Sequence, residues 1–196
     1  MSIQPSKQKL HSEQVKQQII NTAVPLFQKY GFNQVSVKDI ASAMGVTTGT
    51  LYHHFKNKEE IMDAVVFQHR EGFDKLLAIY QDSSNPVYDL QEFLGDFMVR
   101  QVIQDGKEYT QYRISSVMKF ELKDTPFEKI VRTLVESAVA KGMIRSIYSA
   151  NEISDLLLSV YRGSVYQYAV STVPFDIQTI AYRRIKIVLD GLKQTA

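Results

Sequence analysis

The 196-residue chain contains no cysteine. A disulfide framework and a thiolate metal site are therefore excluded, and a reducing compartment such as the cytoplasm is the expected location. The N-terminus lacks the basic stretch followed by an apolar stretch that marks a secretory signal, and no apolar run is long enough to cross a bilayer. We therefore expect a soluble, cytoplasmic protein without a membrane partner.

The sequence also lacks the short motifs of common enzyme active sites, namely G-x-S-x-G, H-E-x-x-H and a glycine-rich phosphate loop. All four histidines lie in the first 69 residues, so the C-terminal part has no histidine to act as a general base. The adjacent His53 and His54 would point about 100° apart on a helix and cannot chelate a metal as an i, i+4 pair does. We predict a protein that is not an enzyme and binds no metal or cofactor.

Alternation of apolar and polar residues with a period of two is sustained nowhere, so no strand is predicted. Helical periodicity is widespread and indicates an all-α fold of about nine helices. Pro25 is expected to kink the first helix, and a long fourth helix is expected from Lys58 to about Tyr80. Gly106 should end the fifth helix, and Pro174 should begin the last one.

The small net charge of +2 is unevenly distributed along the chain. Residues 1–60 contain seven lysines and four acidic residues, whereas residues 61–196 contain sixteen basic and seventeen acidic residues. A positive field confined to one end is typical of proteins that bind nucleic acid through that end. We predict two domains, a DNA-binding domain in residues 1–60 and a larger helical domain in residues 61–196.

Residues 36–58 predict two short helices around a glycine turn. Ser36 can cap the first helix, and Gly45 falls where a helix needs a left-handed residue in order to end. Thr47 can then accept hydrogen bonds from the first N–H groups of the second helix. Two capped helices joined by such a turn are typical of a helix-turn-helix, which binds duplex DNA, although a plain helical hairpin has the same elements.

The second helix of this pair has one apolar and one polar face. Leu51 and Phe55 are four residues apart and must face inward, which turns Gly49 and His53 outward. Small residues at the start of a helix and hydrogen-bonding groups further along suit the major groove. Lys58, at the start of the next helix, opposes the helix dipole, so a phosphate is its expected partner.

These residues resemble the DNA-binding domain of the TetR-type transcriptional regulators. The resemblance extends from about residue 12 to residue 62 and is carried by Leu26-Phe27, Gly31-Phe32, Ser36-Val37, Ile40-Ala41, Gly45-Val46, Gly49, Tyr52 to Phe55 and Lys58 to Glu60. It implies a three-helix DNA-binding domain followed by a larger domain for effector binding and dimerisation. The DNA-contacting residues implied by the resemblance are Ser36, Val37, Thr47, Thr48, Gly49, Thr50, Tyr52, His53, His54 and Lys58.

The last two predicted helices are apolar on several sides, as helices are when they are buried on several sides. Two such helices suit a four-helix interface between two copies, although they can equally be internal to a monomer. Dimerisation is favoured because two DNA-binding domains together can bind the two half-sites of an operator. The residues predicted at this interface are Leu158, Val165, Ala169, Ile185 and Leu189.

The second domain holds nine of the eleven tyrosines and seven of the ten phenylalanines. Aromatic residues at helical spacing are consistent with an ordinary core or with an apolar ligand site that has hydroxyl groups on its wall. Arg100 and Arg113 could neutralise an acidic ligand or be ordinary surface residues. The residues predicted to line a ligand cavity are Phe93, Phe97, Tyr109, Tyr112, Ser116, Tyr161 and Tyr168.

Together these patterns predict a dimeric regulator of transcription that binds double-stranded operator DNA. The resemblance favours a repressor that is released by an apolar or aromatic small-molecule effector, because TetR-type proteins are usually released in this way. The alternative is a helical adaptor whose head docks on another protein instead of DNA. The two functions differ in salt dependence, since contacts with phosphates weaken steeply as salt is added.

Overall fold

The computed structural model describes residues 7–68, 72–120, 125–145 and 147–193, without the side chains of residues 7–9, 66–68 and 116–120. Within these ranges the chain is helical, and its β-structure is limited to a single antiparallel bridge between Ile144 and Lys193. The all-α fold class predicted from the sequence is confirmed. In the described part of the chain, no helix has the length and apolar character needed to span a membrane.

The chain forms two compact units that divide after Gln68. In the first unit, α1 packs against each of the three shorter helices that follow it. Its interior contains fully buried Ile19, Ile40 and Leu51, one from each of the first three helices. The helices of this unit are α1 (Lys7–Tyr30), α2 (Val37–Met44), α3 (Thr48–His54) and α4 (Lys58–Gln68).

The second unit is a larger bundle with one continuous apolar core. A π-helical turn, Phe93–Phe97, continues α6 into α7, and Gly106 interrupts α7 with φ of 80° and ψ of 169°. The break at Gly106 agrees with the predicted end of the fifth helix. The helices are α5 (Gly72–Tyr80), α6 (Pro86–Glu92), α7 (Met98–Phe120), α8 (Pro126–Ala140), α9 (Ala150–Val170) and α10 (Ile177–Leu192).

Two predicted helix boundaries need adjustment, and the predicted kink at Pro25 stays a prediction. α1 includes Pro25 and ends at Tyr30, where Gly31 adopts a left-handed conformation. α10 begins at Ile177 because Asp176 caps it, so Pro174 precedes the helix. The long helix predicted from residue 58 to residue 80 corresponds to α4 and α5, and residues 69–71 between them lie outside the described part of the chain.

The residues predicted to contact a second copy lie in the interior of the single chain. They occupy the inner faces of α9 and α10, which pack against each other and against α7. A side chain that packs in its own core is not available to another molecule, so we correct these positions to core residues. Each is 4% exposed or less: Leu158, Val165, Ala169, Ile185 and Leu189.

Candidate DNA-binding site

The first helix of the helix-turn-helix begins at a reciprocal cap. The Ser36 hydroxyl accepts a hydrogen bond from the backbone N–H of Asp39, and the Asp39 carboxylate accepts one from the backbone N–H of Ser36 at 2.8 Å. Hydrogen bonding to Ser36 also lowers the pKa of Asp39. Such a cap fixes the point where α2 begins, and removal of a cap of this kind costs about 0.5–2 kcal/mol.

Gly45 ends α2 in the left-handed conformation, with φ of 69° and ψ of 28°. The Gly45 N–H donates to the Ser42 carbonyl, and the Val46 N–H donates to the Ala41 carbonyl at 3.0 Å. This pair of bonds is the Schellman arrangement, which turns the chain sharply and satisfies the last carbonyls of the helix. The predicted role of Gly45 as the helix stop is confirmed.

α3 begins at Thr47, whose hydroxyl accepts a hydrogen bond from the Thr50 N–H at 3.3 Å. Leu51 is fully buried and Phe55 is 6% exposed, so these two side chains attach α3 to the rest of the first unit. Tyr52, the neighbour of Leu51, is 56% exposed. The other residues on the outer surface of α3 are Thr48, Gly49 and His53, with Thr50 and His54 half-buried at its edges.

Gly49 is not required by the fold of the first unit. A Cβ atom at this position would meet only the Thr47 hydroxyl oxygen, at 3.6 Å, which is an ordinary van der Waals contact. Glycine inside a helix costs about 0.5–1 kcal/mol relative to alanine. The absence of a side chain is therefore explained by what approaches α3 from outside better than by the packing within the unit.

The two histidines at the end of α3 interact edge to face, with ring centroids 5.1 Å apart. Burial lowers the pKa of His54 below its ordinary value, and the nearby charges of His53, Lys16 and His11 lower it further, against the opposing effect of Glu13. The charged form of His54 is therefore disfavoured at this edge of α3.

An open cavity of about 370 Å³ adjoins the outer face of α3. It lies where the start of α2, the end of α3 and the start of α4 meet. Tyr52 and Lys56 form one side, and the cap of α2 forms the other. The full lining is Asn33, Gln34, Val35, Ser36, Val37, Tyr52, Lys56, Asn57 and Lys58.

Lys58 has a partner that the sequence did not predict. Its ammonium group donates a hydrogen bond to the backbone carbonyl of Phe32 at 2.7 Å and lies over the Phe32 ring, 4.2 Å from the centroid. Asn57 caps α4, its side-chain oxygen accepting from the Glu60 N–H at 2.8 Å. The Glu60 carboxylate binds the Lys56 N–H instead of completing a reciprocal cap with Asn57.

Comparison with known proteins agrees with this geometry. The sequence model described as "Bacterial regulatory proteins, tetR family" matches residues 19–65. The HTH-type transcriptional repressor KstR2 of Mycobacterium tuberculosis (strain ATCC 25618 / H37Rv) is 36% identical over 190 residues, which cover 89% of this chain and 91% of that protein. The chain belongs to the TetR family. This TetR-family member is a DNA-binding transcriptional regulator with an N-terminal helix-turn-helix domain.

Two further comparisons extend the match. KstR2 of Mycolicibacterium smegmatis is 25% identical over 197 residues, which cover 92% of this chain and 91% of that protein. A crystal structure of a TetR-family regulator from Pectobacterium atrosepticum superposes with a TM-score of 0.71 at 16% identity and covers 97% of this chain and 99% of that one. The second unit therefore shares the TetR-family fold as well as the first.

The predicted ligand residues of this TetR-family regulator do not form one group. The rings of Phe93 and Phe97 stack with their centroids 6.0 Å apart. The ring of Phe127 lies between two others, with its centroid 5.7 Å from that of Phe93 and 5.5 Å from that of Tyr161. The sequence analysis missed Phe127, which lies in the first turn of α8 and packs against the core of the second unit. We call Phe93, Phe97, Phe127 and Tyr161 the aromatic cluster.

The remaining predicted ligand residues lie elsewhere in the second unit. Tyr168 is two turns beyond Tyr161 on α9, half-buried, with the Lys107 ammonium 5.5 Å from its ring centroid. Tyr109 is buried and Tyr112 is half-buried, both on α7. Ser116 is on the same helix, and its side chain lies outside the described part of the structure.

Tyr161 is the buried member of the aromatic cluster that carries a polar group. The side chain is 4% exposed, and its hydroxyl has no hydrogen-bond partner of acceptable geometry in the described structure. Burial raises the pKa of Tyr161, and the positive charge of the nearby Arg113 opposes that increase. Arg100, the other arginine considered for an acidic ligand, is largely exposed and forms an ion pair with Asp96.

Proposed function

We propose that this regulator is a repressor that binds its operator as a homodimer and leaves it when a small molecule binds the second unit. Residues 1–60 would supply the DNA contacts, and residues 61–196 would supply dimerisation and effector binding. The KstR2 relatives are named as repressors, which supports repression. A protein that acts on the chromosome in this way works in the cytoplasm.

The observation that carries this proposal is the division of α3 into an anchored face and an exposed face. Leu51 and Phe55 attach the helix to its unit, while Tyr52 and His53 are exposed on the face where side chains could reach base edges. Gly49 supports the proposal because it leaves room for a close approach by DNA. The proposed contact residues are Ser36, Val37, Thr47, Thr48, Gly49, Thr50, Tyr52, His53, His54 and Lys56, and Lys58 is treated separately below.

The proposed dimer surface is the outer stripe of α9 together with the neighbouring part of α10. Leu156, Gly163, Tyr166 and Val170 are all exposed, and their spacings of seven, three and four residues place them on one face of α9. Ile187 on α10 is 70% exposed and would add an apolar side chain to this surface. Gly163 would let the backbones of two α9 helices approach closely, because nothing lies within 4 Å of its missing Cβ atom.

The proposed effector site is the aromatic cluster. An apolar wall with one buried hydroxyl resembles small-molecule sites, which combine apolar lining with a few orienting polar groups. The nearby Arg113 can only donate to the Tyr161 hydroxyl, whose own proton has no acceptor in the described structure, and a buried donor without an acceptor costs about 1–3 kcal/mol. A ligand with an acceptor next to an apolar or aromatic body would supply that partner.

DNA binding is tested by titrating a duplex selected by the protein from a random pool, at salt concentrations from 50 to 300 mM. For DNA binding, log K should fall linearly with log salt, with a slope of about −0.9 for each phosphate contacted. The alternative, a head that docks on another protein, predicts no selection of a preferred duplex. Failure to enrich any sequence would contradict the proposal.

A further inference from the structure

We infer that Lys58 is a positioning residue, which holds the start of α4 against the turn between α1 and α2, and that Lys56 is the lysine of this region that contacts the DNA backbone. The sequence predicts a phosphate contact for Lys58 instead, because a lysine at the start of a helix is expected to attract an anion. This inference rests on the proposed DNA surface, and the experiment below separates the two.

The turn that Lys58 holds has a defined geometry. α1 ends at Tyr30, and Gly31, with φ of 83°, donates its N–H to the Phe27 carbonyl at 2.9 Å. The ring of Phe32 then packs on the ring of Phe27, with centroids 5.3 Å apart. The Phe32 side chain is therefore fixed to α1, and any group bound to Phe32 is fixed to α1 as well.

Lys58 binds Phe32 in two ways at once. The hydrogen bond from its ammonium group to the Phe32 carbonyl is 2.7 Å long and charge-assisted, and the same nitrogen lies 4.2 Å from the centroid of the Phe32 ring. Both interactions favour a cation. A lysine in the first turn of α4 is unfavourable by itself, because its charge opposes the helix dipole. The Phe32 carbonyl offsets this effect by accepting a hydrogen bond from the ammonium group.

The contact joins residues 26 positions apart and spans the elements that place the DNA surface. Ser36, the cap of α2, follows Phe32 by four residues, and three residues separate α3 from α4. By holding α4 to the turn before α2, Lys58 fixes the spacing between the capped start of α2 and the end of α3. Those two places border the open cavity beside Tyr52.

Lys56 differs from Lys58 in exposure and in the contacts of its side chain. Both lysines border the cavity beside Tyr52, but Lys56 is exposed whereas Lys58 is half-buried against Phe32. Its backbone N–H is held by the Glu60 carboxylate, so the position of the residue is fixed while its side chain extends into solvent. An exposed lysine contacts phosphates as a point charge without loss of an internal contact.

The test compares Lys58→Met, Lys58→Arg and Lys56→Met with the parent protein. Each protein is titrated with the selected duplex and with a random duplex across the salt range used above, after its unfolding temperature has been measured. For Lys56→Met we expect both duplexes to bind more weakly and the salt slope to become shallower by about 0.9 per head. For Lys58→Met we expect about a tenfold loss on the selected duplex, less than a twofold loss on the random duplex and an unchanged salt slope.

Lys58→Arg should restore most of the selectivity, because arginine keeps both the donor and the cation over the ring. Two results for Lys58→Met would overturn the inference. One is a shallower salt slope with unchanged selectivity, and the other is the same affinity as the parent protein for both duplexes.

If Lys58→Met does not fold, Phe32→Leu decides the question, since it removes the ring beneath the ammonium group. That variant should lose selectivity about threefold with its salt slope intact, and parental selectivity there would also overturn the inference. A parent protein without salt-dependent duplex binding would contradict the proposed DNA surface itself.

Discussion

A Cβ atom added to Gly95 would lie 3.0 Å from the Cα atom of Tyr182. Gly95 is buried in the π-helical turn, and Tyr182 lies on α10, so the two backbones meet without a side chain between them. This distance from a backbone atom is shorter than nine in ten Cβ contacts, so one of the two helices would have to shift by a few tenths of an ångström in the filled core around Phe93 and Leu94. Glycine therefore suits the close packing at this position.

We predict that Gly95→Ala lowers the free energy of unfolding by about 1–3 kcal/mol, as overpacking of a filled core does. Gly191→Ala is the matched control, because Gly191 is also helical and nothing lies within 4 Å of its missing Cβ atom. The control should be neutral or stabilising by up to about 1 kcal/mol. Urea denaturation of both variants measures the difference, and equal midpoints would contradict the packing argument.

Tyr52 should contribute to the choice of sequence more than to general affinity for DNA. Tyr52→Ala is expected to weaken the selected duplex by about 1–3 kcal/mol and the random duplex by much less, because a base contact is lost. Tyr30→Ala is the control, since Tyr30 is 51% exposed on the same unit but lies at the end of α1. Competition titrations at one salt concentration measure the effect, and the same loss on both duplexes would remove Tyr52 from the reading surface.

Ile187 should be part of the contact between two copies. Ile187→Glu is expected to shift the protein from dimer to monomer at micromolar concentration, because an unpaired charge is costly in an apolar interface. Ile147→Glu provides the comparison, since Ile147 is 73% exposed but lies outside α9 and α10. Sedimentation velocity distinguishes the two species. A parent protein that is already monomeric would contradict the proposed interface.

His54 should make the first unit less stable in mild acid. Its pKa in the folded protein is lowered from the ordinary value of 6.5, so the unfolded chain binds more protons between the two pKa values. Stability therefore falls as the pH decreases from above 6.5 through the folded pKa, and His54→Gln should flatten that part of the profile. Asp39 affects stability in a different pH range. Its pKa is lowered from 3.8, so its contribution to the free energy of unfolding is lost only as the pH falls through that lower value. Thermal unfolding between pH 5 and pH 8 measures the effect, and an unchanged profile in His54→Gln would contradict it.

Local chemistry explains why the helix-turn-helix was predictable from sequence. The caps at Ser36 and Thr47, the left-handed Gly45 and the buried pair Leu51 and Phe55 each depend on residues within four positions of one another. Interactions over such short sequence distances can be recognised from the sequence alone. The break at Gly106 and the capped start of α8 were predictable for the same reason.

Features that depend on distant partners were not predictable in the same way. The periodicity of α9 and α10 identified apolar faces, but it did not reveal that the chain itself covers Val165 and Leu189. Lys58 binds a carbonyl 26 residues away, and Phe127 meets Tyr161 on a different helix. A single sequence shows that a side chain needs a partner, but the partner is known only once the helices are placed.

The alternation between fully buried Leu51 and largely exposed Tyr52 has a consequence for evolution. Because the residues that hold α3 in place are distinct from those on its outer surface, substitutions at Tyr52 or His53 leave the core of the unit untouched, and surface changes of this kind usually alter stability by less than about 0.5 kcal/mol. A gene duplicate of this regulator could therefore acquire a new operator through a few substitutions on one face. The same separation makes α3 a suitable position for libraries designed to retarget the protein.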